Sequence, residues 1–88
     1  MATIRDLKKD INYVLGEIIE MTLDWEKANP EADRKASAAI VDEAIAAYDV
    51  YSAKIYQKEV ENKKAHFRAI QDALAEKGNA LIEKINAL

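Results

Sequence analysis

The chain carries a single histidine, His66, and the residue three before it is Lys63, so the Glu-x-x-His spacing with which facing helices build a two-metal carboxylate centre is missing. Carboxylates are better placed. Glu17, Glu20 and Asp24 recur three and four residues apart, which stacks them on one side of a helix. They can bridge a metal only if further ligands face them, and there is neither a second histidine nor a cysteine to do so. They read as a solvated acidic face, and no metal or cofactor is expected.

Hydroxyl chemistry fares no better. Thr3, Thr22, Ser37 and Ser52 are the aliphatic hydroxyls, and none sits in a G-x-S-x-G turn that would present a nucleophile to His66. The two glycines, Gly16 and Gly78, are too isolated to form a phosphate-cradling loop. The absence of cysteine excludes a thiol nucleophile, disulfides and Cys-ligated zinc. No enzyme is expected, and His66, on the flank of the stripe Phe67, Ile70, Leu74, is expected to be a boundary residue.

Two sets of residues point instead to binding. Lys63, Lys64 and Arg68 gather beside Phe67 and can contact a phosphate backbone, which supports an alternative function as a nucleic-acid-associated regulator. Glu59, Glu61 and Asp72 stand close by, so a mixed-charge surface is the plainer reading and nucleic acid is not the expected partner. The second set is Tyr13 with Gly16, on the polar side of the first helix, and the row Ala69, Ala73, Ala80 and Ala87, read as the back of the last helix. An exposed ring beside a glycine, and small side chains that let helices approach, suit docking or self-association.

These residues need helices to hold them. Half the residues are apolar, a third are charged, and there are two glycines and one proline, a composition that favours helix. Thr3 and Asp6 form a capping-box-like start before Ile4, Leu7, Ile11, Val14, Ile18, Met21 and Trp25, spaced three and four apart, with Leu15 and Ile19 widening the stripe. So broad a stripe suits a helix touching two neighbours. KANPEAD ends that helix near Lys27, with Asn29 expected to cap a second helix starting at Pro30.

From Glu31 to Lys77 the chain runs 47 residues without glycine or proline. As one helix this would be a rod of roughly 70 Å. The apolar phase changes inside it. Ile40, Val41, Ala44, Ile45, Tyr48, Tyr51 and Ile55 share a face on which Lys58, Glu59 and Asn62 then fall, whereas Val60 is in phase with Phe67, Ile70, Leu74, Leu81, Ile85 and Leu88. A turn is therefore predicted at residues 58–62. Tyr48, Tyr51 and Tyr56 are expected in a buried or half-buried stripe. The last helix is expected to continue across Gly78-Asn79 to the C-terminus, the alternatives being a break there or one long second helix in an extended dimer.

The segment DLKKDINYVLGEIIE, within the first helix, resembles the opening of short, uncharacterised helical proteins of bacteria. The resemblance implies no activity, cofactor or partner. Residues 1–88 are expected to form one all-α domain, an antiparallel three-helix bundle with helices of about 24 to 28 residues. Its expected core is Ile4, Leu7, Ile11, Val14, Ile18, Trp25, Ile40, Ala44, Tyr48, Tyr51, Ile55, Phe67, Ile70, Leu74, Leu81 and Ile85. The N-terminus has no apolar signal core, and no apolar run approaches membrane-spanning length, so a cytoplasmic location is expected. The most consistent function is a non-catalytic protein-interaction or scaffold module, self-associating or with an unidentified protein partner.

Overall fold

Thr3 starts the first helix, its Oγ1 accepting the Asp6 N–H at 3.2 Å, and so satisfies one of the amide donors that a helix start leaves free. The computed structural model describes residues 3–58 and 60–88. They form α1 (Ile4–Ala28), α2 (Lys35–Ile55) and α3 (Lys63–Asn86), with no strand among the described residues. All three helices pack against one another in an antiparallel three-helix bundle 50 × 18 × 18 Å in extent.

The first connection differs from the expectation. Asn29 closes α1 rather than opening α2: its backbone N–H and its side-chain amide both donate to the Trp25 carbonyl, at 3.0 and 2.9 Å. Pro30 then lies in a turn, and α2 begins only at Lys35, whose N–H is accepted by the Asp33 carboxylate at 2.9 Å. An asparagine that satisfies the last carbonyls of one helix is not free to cap the next, so α2 is shortened to 21 residues.

The second connection falls where the change of phase put it. Residues 56–62 separate α2 from α3, and the Asn62 side chain caps α3 by accepting the Ala65 N–H at 3.1 Å. Val60, in phase with α3, lies outside it and is half-buried; Glu59 lies outside the described residues. Tyr56 has left the stripe and is 55% exposed, because it stands beyond the last turn of α2. α3 runs unbroken through Gly78.

Leu7, Ile11, Leu15 and Ile18 of α1 meet Ile40, Ala44, Ala47, Tyr51 and Ile55 of α2 and Ile70, Leu74, Leu81 and Ile85 of α3 in one core. Val14, Tyr48 and Phe67 pack on its edge. Trp25 is half-buried. Ile4, expected inside, is 39% exposed, since the first turn of α1 is at the end of the bundle. Ile45 is 49% exposed because it lies on the outer flank of α2. Leu15, read as widening the stripe of α1, is buried, while Ala47, Thr22 and Ser37 are core positions that periodicity alone did not single out.

The two buried hydroxyls are satisfied. Thr22 donates to the Ile18 carbonyl one turn back at 2.8 Å, and Ser37 to the Glu26 carboxylate at 2.6 Å, which ties the end of α1 to the start of α2. The glycines divide sharply. Around Gly16 nothing lies near a would-be Cβ, whereas a Cβ on Gly78 would stand 3.0 Å from Val14 Cγ1. Gly78 thus allows α1 and α3 to approach, and its cost in helix propensity is offset by that contact.

Gly16→Ala is therefore expected to stabilise the fold by ~0.5–1 kcal/mol in urea unfolding, through backbone entropy alone. Gly78→Ala should gain clearly less or lose stability, and the difference between the two sites should shrink in a Val14→Ala background. Equal gains at both glycines would show that the α1–α3 approach does not need Gly78.

Candidate interaction surfaces

The sequence-derived candidates fall on different sides of the bundle. Tyr13, 70% exposed, and Gly16 lie on the outward side of α1, together with the exposed carboxylates Glu17, Glu20 and Asp24. Among the described residues no group of three or more metal-ligating side chains converges. The alanine row is not on the back of α3: Ala69 and Ala73 line a hollow facing α2, and Ala87 another, while Ala80 is exposed. Tyr13 and Gly16 therefore share no surface with Ala69 and Ala73.

What the row borders is the open seam between α2 and α3. Three shallow hollows follow it. One, of about 260 Å³, is lined by Tyr51, Lys54, His66 and Ala73; the next, also about 260 Å³, by Ala46, Ala47, Val50 and Lys77; the last, about 310 Å³, by Ala36, Ala39, Lys84 and Ala87. Each hollow combines alanines with longer side chains at its rim. Val50 within it is 50% exposed.

Polar groups hold the two helices across the seam. Glu43 Oε1 and Oε2 accept Lys77 Nζ and Lys84 Nζ, each at 2.6 Å, so one carboxylate of α2 clasps two turns of α3. These hydrogen bonds, Lys77 first and then Lys84, hold the Glu43 carboxyl below its ordinary value of 4.5. Tyr51 Oη donates to the Ala73 carbonyl at 3.3 Å. At the turn, His66 Nε2 lies 2.7 Å from the Lys54 carbonyl; that oxygen can only accept, so Nε2 carries the proton. His66 is thus a clamp on the last turn of α2, a partner that no spacing in the sequence revealed.

The basic cluster divides in two. Lys63 lines a hollow of about 310 Å³ at the α2–α3 turn with Ile4, Tyr56, Lys58 and Phe67, whereas Lys64 and Arg68 are exposed elsewhere around α3. At 3.6 residues per turn Lys64 and Arg68 lie about 40° apart on one face of α3, with Lys63 about 100° from Lys64 on the side of that hollow. Among the described residues no helix is long and apolar enough to cross a membrane. No family model, curated protein or solved structure matches the chain.

The Glu43 clasp carries a pH dependence of known sign. A carboxyl held below its unfolded value adds stability that is fully present above about pH 4.5 and is lost as the pH falls through the folded value. Glu43→Gln is expected to cost roughly 0.5–1 kcal/mol at pH 7, in the range of partly exposed ion pairs. The gap between the two proteins in chemical unfolding should narrow below pH 4.5; a gap that stays constant to pH 2.5 would mean the clasp contributes nothing as an ion pair.

Proposed function

We propose that the protein is a non-catalytic interaction module whose working surface is the α2/α3 seam. The supporting observation is the row of shallow hollows along that seam, bordered by Ala69 and Ala73 of α3 at one end, by Ala46 and Ala47 of α2 in the middle and by Ala36, Ala39 and Ala87 at the other end, with Val50 standing half out of it. Small residues let a further helix approach closely and lay its ridge in the groove, as the fourth helix of a bundle does. The non-catalytic part of the reading is supported by the chemistry already in use. His66 binds a backbone carbonyl, Ser37 a carboxylate and Thr22 the carbonyl one turn back. A cytoplasmic place of work suits a chain without cysteine.

A photo-crosslinking side chain placed at Val50 or Ala73, in extract of the cells that make the protein, is expected to capture a protein partner. The same group at Asp10, on the outside of α1, should capture none. Equal labelling from the two sides, or none from the seam, would overturn the assignment of this surface.

A further inference from the structure

The rim of the α2/α3 seam carries a charge pattern that its hollows by themselves do not specify. Ala46, which lines the middle hollow, has Asp42 four residues before it and Asp49 three after, so both carboxylates flank it on the solvent side of α2. Ala80 repeats the arrangement on α3. It lies seven residues from Ala73 and from Ala87, which border the seam, and Glu76 and Glu83 stand four before it and three after. The bonds across the seam set the level of one helix on the other: Tyr51 meets Ala73 and Lys54 meets His66, so residues whose numbers add to between 120 and 124 are side by side. Asp49 is then close to level with Glu76, and Asp42 with Glu83. Two rungs of carboxylates, about 10 Å apart along the axis, bracket the seam. All four are exposed, and among the described residues none of them is in an ion pair.

The stretch is negative as a whole. Residues 42–50 of α2 and 72–84 of α3 hold six acids, Asp42, Glu43, Asp49, Asp72, Glu76 and Glu83, against two bases, Lys77 and Lys84, both of which Glu43 binds inside the seam. Other cations stand only towards its ends, Lys54 and His66 at the first hollow, Arg34 and Lys35 at the start of α2. We infer that the occupant of the seam is a basic amphipathic helix of a partner protein, with Lys or Arg on both flanks of a narrow apolar stripe. This rests on the α2/α3 seam being the working surface. The hollows run from the level of Gln57 to that of Ala36, which is about 30 Å of helix, so the partner helix is about 20 residues long. Its stripe lies along Ala46, Val50 and Ala73. Bases seven residues apart on each flank reach the two carboxylate rungs, as charges beside a coiled-coil seam do. The same field turns away other occupants: a second copy offering its own seam, or a nucleic-acid backbone, would oppose like charges.

Two synthetic helical peptides of about 20 residues test it, alike in a stripe of Leu and Ala and differing only in Lys or Glu on both flanks. In fluorescence anisotropy at ~50 mM salt the Lys peptide is expected to bind roughly tenfold more tightly than the Glu peptide, and salt at ~0.5 M should erase most of that difference. Asp42→Asn, Asp49→Asn, Glu76→Gln and Glu83→Gln made together should remove the preference, with helical circular dichroism unchanged because all four positions are exposed. Val50→Lys, which puts a charge into the seam, should abolish binding of the Lys peptide. No binding of the Lys peptide, equal binding of the two, a preference that survives the amide variant, or binding that survives Val50→Lys would each overturn the inference. Failure of the working-surface reading shows separately, as loss of photo-capture from Val50 and Ala73 in cell extract. Capture that persists while the peptides are not told apart sinks the basic helix alone.

Discussion

The burial of one aliphatic stripe from each helix in a common core is the interaction on which everything else rests. Leu7, Ile11, Leu15 and Ile18 can leave water only between α2 and α3, because a chain of 88 residues has no other apolar surface long enough to cover them. Removing such side chains costs ~2–5 kcal/mol each, several times what any polar contact of this bundle supplies. Helix ends, turns and surface grooves are consequences of keeping the three stripes in register.

The polar contacts act at the edges of that core and give it a unique arrangement. Ser37 with Glu26 fixes the register of α1 on α2, while Glu43 with Lys77 and Lys84, Tyr51 with Ala73, and His66 with the Lys54 carbonyl fix α2 on α3. Gly78 does the equivalent for α1 and α3 by steric means, through Val14. Each pair of helices therefore has its own device at the edge of the common core.

The outer surface is unequal in a way that bears on function. The outward side of α1 is acidic around Tyr13, the α2/α3 seam is lined with alanine, and the α1/α2 flank shows larger aliphatics at Leu23 and Ile45. A small bundle has more helix faces than its core can use, and residues kept apolar on the unused ones are the signal of association. The basic cluster at Lys63, Lys64 and Arg68 looks like one group in sequence but divides on α3, Lys64 and Arg68 sharing a face one turn apart and Lys63 lying on another.

The sequence by itself determined the number of helices, the turn before α3, the cap at Thr3 and most of the core, because periodicity of three and four records which side of a helix is dry. It also left Gly78 inside a helix, since the apolar phase crosses it. Only the tertiary structure decided the rest. Asn29 reads equally as the start of one helix or the end of another, and the choice was made by the Trp25 carbonyl. Ile4 and Ile45 have the residue type of a core and lie outside it, whereas Thr22 and Ser37 have the type of a surface and lie within, their hydroxyls satisfied locally. The alanine row could not be assigned to an inner or outer face until α2 stood beside it. Nor could His66 show a partner, because the group it binds is a backbone carbonyl, which every residue carries and no sequence pattern marks.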